Sequence, residues 1–165
     1  MSDYISNQIL TCSLNVEARY IKGDVNKLLY NLLKKKYEGV CNKDGYIQND
    51  SLEMINRSVG EVKTIDNTSY VVYNITYKAN IYSPVKGIEL PIYINSITKM
   101  GIIGYIKEKD EDTIEKSPFI VIVPKEYFTE DVYDNYTVND KLTIKIMDAR
   151  IKYMSKNIQI VGHPV

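Results

Sequence analysis

The chain has 165 residues, 44% of them hydrophobic, and its 21 basic and 21 acidic side chains give a formal net charge of zero. This length allows one domain or two small ones, and halves of about 80 residues are near the lower size limit for independent cores. Zero net charge argues against an autonomous, high-affinity nucleic-acid binder, because such proteins carry clustered cations, so any contact with nucleic acid should be local, weak or supported by a larger assembly.

The chain begins with a predicted strand and an amphipathic helix. Residues 9–16 alternate apolar and polar side chains with the period of two that marks a half-buried strand. Apolar residues then recur at helical spacing over 25–37, after Asp24, whose carboxylate can cap the first turn, and before Gly39, which can take the left-handed C-cap conformation. The lysines at 34–36 fall in the last turn, and we favour a solvated helix end over a phosphate-binding patch.

A turn-rich segment separates the helix from a second, longer strand. Residues 42–45, Asn-Lys-Asp-Gly, predict a hairpin turn. Asp50 and Ser51 predict the cap of one helical turn over 52–55. The Asp-Asn pair at 66–67 turns the chain into a strand over 71–82, in which every second residue from Val71 to Ile81 shares one apolar face.

Proline and glycine at 83–87 predict a domain boundary after that strand. We therefore predict an α+β domain over 1–82, made of a strand, an amphipathic helix and antiparallel strands. An all-β domain over 83–165 follows. Its five predicted strands, at 88–98, 101–109, 119–123, 142–147 with an extension to 153, and 157–161, suit a small Greek-key barrel of the OB type.

Acidic loops and cysteines supply the candidates for catalysis or metal binding. Residues 110–115 and 126–140 are rich in carboxylates, which can do acid–base work or hold Mg²⁺. No Gly-rich phosphate loop accompanies them, and His163 is expected to be an exposed tail residue. Cys12 and Cys41 lack the spacing of a zinc site and are expected to be reduced thiols. We therefore predict no catalytic residue, metal or cofactor.

The order and spacing of several segments resemble the larger stalk subunit of multi-subunit DNA-directed RNA polymerases, which is the seventh subunit of eukaryotic polymerase II and has a counterpart in the archaeal enzyme. Residues 37–47, YEGVCNKDGYI, resemble the family's tip segment, and residues 59–62, VGEV, its next tip strand. Residues 72–89 resemble the family's domain junction, because Tyr-Lys-Ala at 77–79, Pro84 and Gly87 keep its spacing. At Ile102 and Ile103 the chain departs from the family's aromatic barrel residues.

The resemblance implies a subunit without an active site that docks on the polymerase core near the clamp and holds an OB/S1-like barrel near emerging single-stranded RNA. A smaller helical stalk subunit would be a further partner. The residues implied in core docking by the tip domain are Cys41, Asn42, Lys43, Asp44, Gly45, Val59 and Gly60. The residues proposed for RNA contact, expected to be weak, are Lys99, Tyr105, Lys107, Lys145, Asp148, Arg150 and Lys152.

Two other function classes stay open at this point. One is a free-standing S1/OB protein that binds single-stranded RNA, and the other is a small hydrolase or nuclease that uses the acidic loops. No signal peptide or membrane span is expected, because no stretch has the roughly 18 apolar residues that a span needs. An intracellular location is therefore expected. The abundant Lys, Ile, Asn and Tyr indicate an AT-rich genome, which fits a large DNA virus, with the protein in the virion and the infected-cell cytoplasm, or a divergent eukaryote, with the protein in the nucleus.

Overall fold

The computed structural model describes residues 3–165. The chain divides into two compact units, each with its own hydrophobic core. The described part of the first, here called the barrel unit, comprises residues 3–6, 39–46 and 82–165. The second, here called the helix unit, comprises residues 7–38 and 47–81. The predicted domains were continuous in sequence with a boundary after residue 82, whereas these units alternate along the chain.

The first sheet is organised around one long strand. Its strands are β1 (Ile5–Glu17), β2 (Tyr46–Ile47), β3 (Glu53–Arg57), β4 (Glu61–Ile65) and β5 (Thr68–Tyr82). β5 pairs with each of the other four, and β1 is at one end of the sheet order. The predicted alternation of β5 is confirmed, because Tyr73, Ile75, Tyr77, Ala79 and Ile81 are all buried.

Helix α1 (Val25–Tyr37) has the predicted bounds and caps. The Asp24 carboxylate accepts a hydrogen bond from the backbone N–H of Lys27 at 3.3 Å, which satisfies one of the free donors of the first turn. Gly39 has φ 77°, the left-handed conformation that ends a helix without a Cβ penalty. Leu29 and Leu33 are fully buried, and each contributes about 1.5–3 kcal/mol through the apolar surface removed from water.

The predicted helical turn over 52–55 is wrong, because residues 53–55 belong to strand β3. Glu53 lies opposite Lys78 and Arg57 opposite Ile75, so β3 pairs with β5 through main-chain hydrogen bonds. One isolated helical turn would leave those N–H and C=O groups of β5 without a partner. The Ser51 hydroxyl, predicted as a helix cap, instead accepts a hydrogen bond from the backbone N–H of Asn80 at 3.1 Å. Tertiary pairing therefore overrides the local capping signal.

The turn predicted at 66–67 is confirmed. Asp66 and Asn67 have φ 50° and 66°, and they connect β4 to β5 in a tight hairpin in which Ile65 lies opposite Thr68. Two successive left-handed residues give the twist that suits a two-residue hairpin, and Asn and Asp tolerate this conformation better than most residues.

The predicted five-stranded barrel is confirmed. Its strands are β6 (Glu89–Ile97), β7 (Gly101–Tyr105), β8 (Phe119–Pro124), β9 (Lys141–Arg150) and β10 (Ile158–Pro164). They close in the order β10-β8-β7-β6-β9, with β8 and β10 parallel and the other pairs antiparallel. This arrangement is compatible with an OB-like barrel. A short helix α2 (Glu130–Tyr133) lies between β8 and β9.

Inward-facing side chains fill the barrel. Those with no exposed surface include Leu90, Ile92, Ile94, Ile102, Phe119, Val121, Val123, Ile144 and Ile158. At Gly104 an added Cβ would lie 2.6 Å from Ile92 Cδ1 and 2.9 Å from the carbonyl oxygen of Tyr93, so β7 approaches β6 more closely than any other residue would permit. Within residues 3–165, no helix is long and apolar enough to cross a membrane.

Candidate nucleic-acid interface

The hairpin around Cys41 packs against the β9–β10 loop inside the barrel unit. Cys41 donates its backbone N–H to the carbonyl oxygen of Ser155, and its own carbonyl oxygen accepts from the N–H of Met154, each at 2.8 Å. The Cys41 side chain is 1% exposed. The backbone of this predicted docking residue is therefore already hydrogen-bonded within the chain.

The other predicted docking residues differ in exposure and in the unit to which they belong. Asn42 holds the turn, because its side-chain oxygen accepts from the N–H groups of Asp44 at 2.8 Å and Gly45 at 2.9 Å. Lys43 and Asp44 are exposed and Gly45 is buried. Val59, 89% exposed, and Gly60 belong to the helix unit, whereas residues 41–45 belong to the barrel unit.

A lysine and two tyrosines cluster on the outer face of the barrel. The Tyr93 and Tyr105 ring centroids lie 6.3 Å apart, and Lys107 Nζ lies 4.7 Å and 5.7 Å from the two centroids. At these distances the ammonium is attracted to the ring faces. Tyr105 is only 5% exposed, so it supports its neighbours and offers little ring surface for a base to stack on.

Sequence reasoning missed Tyr93 because a β-bulge decides its position. The β6–β7 hairpin pairs Ile97 with Ile102 and Ser96 with Ile103, and a regular ladder would then put Ile94 opposite Tyr105. The register shifts between Ile94 and Ser96, so Tyr93 becomes the partner of Tyr105. Gly104 in the opposite strand is a local signal of an irregularity, because a glycine inside a strand often marks a bulge.

A polar pocket brings together two predicted RNA-binding cations. Arg150 and Lys152 line it with Ser155, Asn157 and Gln159, and its volume is about 180 Å³. Neither cation belongs to the ion pairs found among residues 3–165. A guanidinium, an ammonium and side-chain amides are donors that bind phosphate oxygens. We refer to this feature as the Arg150 pocket.

Strand register connects the Arg150 pocket with the tyrosine pair. Arg150 lies opposite Gln159, Gln159 opposite Ile120, and Ile120 opposite Tyr105, which itself pairs with Tyr93. This row crosses all five strands, so it curves around the closed barrel from β9 to β6 and does not lie on one flat face. The Arg150 pocket and the tyrosine pair are therefore separate features of the barrel surface.

The remaining predicted RNA-binding residues lie away from this row. Lys99 is exposed in the turn between β6 and β7. Lys145 lies opposite both Glu89 and His163. Asp148 is exposed, and its carboxylate accepts from the N–H of Ala149 at 2.9 Å. An acidic group repels phosphate, so Asp148 gains no support as a contact.

No protein-family model matches this chain, and no curated protein matches it. Within residues 3–165, no group of three or more His, Cys, Asp or Glu side chains is placed to hold a metal ion.

The expectation that His163 is an exposed tail residue is wrong. It belongs to β10, is half-buried, and its ring centroid lies 4.4 Å from that of Tyr127. This C-terminal segment forms the strand that closes the barrel, because β10 pairs with β9 and His163 lies opposite Lys145.

We expect Cys41 to react slowly with a disulfide reagent in the native chain at about pH 8. Burial raises the pKa of the Cys41 thiol to about 11, so its reactive thiolate is scarce. The same shift means that the stability this thiol contributes is present below its ordinary pKa of 9.0 and lost as pH rises through about 11.

Reaction with a chromogenic disulfide in a Cys12→Ser variant measures Cys41 alone. The matched Cys41→Ser variant reports the half-buried Cys12, which should react faster. Both thiols should react rapidly in urea. Equal native rates would contradict the buried position of Cys41.

Proposed function

We propose that this chain is a non-catalytic stalk subunit of a DNA-directed RNA polymerase, with an OB/S1-like barrel that contacts emerging single-stranded RNA. The support comes from the resemblance of residues 37–47, 59–62 and 72–89 to that family, together with a closed five-stranded barrel in the half where the family has one. The Arg150 pocket is the observation that carries the RNA-binding part, because two cations that belong to none of the ion pairs within residues 3–165 meet there.

Docking on the polymerase core would use exposed residues rather than Cys41. Val59 is 89% exposed, and the nearby β4 residue Val62 is 68% exposed. Exposed aliphatic side chains concentrated on one short segment are typical of a protein interaction site. We propose that this segment forms the main docking contact and that Lys43 and Asp44 contribute a smaller polar one.

Contact with RNA would be weak and assisted by the assembly. The chain carries no net positive charge, and Tyr105, the aromatic residue among the predicted RNA contacts, is nearly buried. Phosphate contacts at the Arg150 pocket would therefore dominate over base stacking. Such contacts position a strand without reading its sequence, which suits a subunit that guides any transcript.

Copurification tests the docking proposal. A tagged full-length chain expressed in its native host should bring down the large polymerase subunits, and Val59→Glu should reduce their recovery at least tenfold, because a charge would be buried in an apolar contact. Val138→Glu is the matched control, since Val138 is also exposed, at 52%, but lies in the barrel unit. Absence of the large subunits with the unmodified chain would overturn the proposal.

The Arg150 pocket also supports a second candidate, a free-standing protein that binds single-stranded RNA. Both candidates predict RNA contact, but only this one predicts useful affinity in isolation, with a Kd below about 1 µM at physiological salt and no copurifying polymerase. Fluorescence anisotropy of the purified chain with labelled RNA separates the two.

A further inference from the structure

A groove in the helix unit lies between β1 and α1. It has a volume of about 510 Å³ and is lined by Ser13, Leu14 and Asn15 from β1 and by Leu32, Lys35 and Lys36 from α1. Leu14 is buried and Leu32 is partly buried against the same core, so the two leucines form an apolar floor. Lys35 and Lys36 are exposed at its rim. We refer to this feature as the β1 groove.

The groove follows an unpaired strand edge. Among the described strands β1 pairs only with β5, and within residues 3–165 no main-chain hydrogen bond joins 9–16 to a segment outside that sheet. Along 9–16, one edge of β1 therefore offers free N–H and C=O groups. Proteins usually protect such edges with charged residues or proline, yet 9–16 contains neither. An edge of this length and composition is a template for another strand.

The charges beside the edge favour an acidic occupant. Lys34 is paired with Asp50 at 2.8 Å, whereas none of the ion pairs among residues 3–165 includes Lys35 or Lys36. Lys36 is exposed, and its Nζ lies 5.3 Å from the Tyr37 ring centroid. A second copy of this chain is disfavoured, because edge-to-edge pairing of two β1 strands would place two sets of the same cations along one shared edge.

We propose that the β1 groove binds an extended, acidic segment of a partner protein, which adds a strand to the free edge of β1. Main-chain hydrogen bonds to β1 would supply affinity, apolar side chains on one face would contact Leu14 and Leu32, and carboxylates would contact Lys35 and Lys36. Single-stranded RNA fits less well, because none of the six lining side chains is aromatic and an unpaired strand edge matches a peptide backbone. The proposal does not depend on the assignment to an RNA polymerase.

Peptide selection on the full-length chain tests this proposal. A phage library of random twelve-residue peptides is selected on the unmodified chain, and enriched sequences are synthesised and measured by fluorescence anisotropy. We expect alternating acidic and β-branched sequences to be enriched. The double variant Lys35→Gln with Lys36→Gln should bind them about tenfold more weakly, because two charge-assisted contacts are lost. The matched variant Lys22→Gln with Lys27→Gln, which removes two exposed lysines that do not line the groove, should bind them unchanged.

Two further measurements separate strand addition from general charge attraction. A peptide that is N-methylated at alternate residues keeps its side chains and charge but loses main-chain donors, and it should lose at least tenfold in affinity. Amide hydrogen exchange should slow within residues 11–16 when the unmodified peptide binds.

Several results would overturn the proposal. These are failure to enrich acidic peptides, equal binding by the Lys35→Gln, Lys36→Gln variant, equal binding of the N-methylated peptide, and exchange protection confined to other segments. Light scattering that shows a dimer whose exchange protection maps to residues 11–16 would identify a second copy as the occupant and would also overturn it.

Discussion

Replacing Phe119 by alanine is expected to lower the free energy of unfolding by about 3–5 kcal/mol, because the change removes a fully buried aromatic ring and leaves a cavity. Phe119 starts β8, and its ring packs edge-on against two tyrosines, with centroids 5.6 Å from Tyr4 and 5.8 Å from Tyr82. Aromatic pairs of this kind add about 0.5–1.5 kcal/mol beyond the area they bury. Urea unfolding followed by circular dichroism measures the loss.

Ile122→Ala is the matched control for Phe119→Ala. Ile122 belongs to the same strand, but it faces outward and is 41% exposed, so we expect a loss below about 1 kcal/mol. Amide exchange in β7 and β8 localises the effect to the barrel. Similar losses for the two variants would show that the ring of Phe119 is not part of a packed core.

The double variant Arg150→Ala with Lys152→Ala is expected to weaken binding of single-stranded RNA by the purified chain about 10- to 30-fold at low salt. Each cation that contacts a phosphate releases counterions, so the slope of log affinity against log salt should become shallower by about 1.4, or 0.7 for each contact. Anisotropy titrations of a labelled oligonucleotide at several salt concentrations measure both quantities. The effect should hold for oligonucleotides of different sequence, because phosphate contacts carry no base information.

Lys63→Ala with Lys86→Ala is the control for the Arg150 pocket. It removes the same charge from exposed positions that do not line the pocket, so affinity should fall less than threefold. Equal effects of the two double variants would mean that RNA is attracted by the overall electrostatic field of the chain and not by contacts at the Arg150 pocket. No detectable RNA binding by the unmodified chain, even at low salt, would remove the RNA contact from the proposed function.

Local patterns along the chain predicted most of the secondary structure. The i, i+3, i+4 spacing with Asp24 and Gly39 predicted the bounds of α1 correctly, because an amphipathic stripe and both caps are encoded within one short segment. The barrel strands were located to within a few residues for a similar reason, since alternation reveals a half-buried strand without knowledge of its partner. Strand β3 was missed because one turn of capping signal competed with a pairing partner that lies beyond the next hairpin in sequence.

The candidate site was predicted only in part. Arg150 and Lys152 were chosen from the sequence, but their grouping with Ser155, Asn157 and Gln159 depends on the loop that joins β9 to β10. Cys41 was proposed as a docking residue and is instead buried, with its main chain bonded to Met154 and Ser155. Most of the chain separates these partners in sequence, so no local pattern could indicate the contact.

By itself the sequence determined the periodic features: where apolar faces recur, where Asp, Asn, Gly and Pro turn or cap the chain, and that five short strands suit a closed barrel. Only the tertiary structure decided which residues meet. The bulge between Ile94 and Ser96 selects Tyr93 as the partner of Tyr105, and barrel closure draws His163 into a strand. The physical reason is that hydrophobic periodicity is a property of each segment alone, whereas register, edge exposure and pocket formation depend on how distant segments satisfy one another's hydrogen bonds.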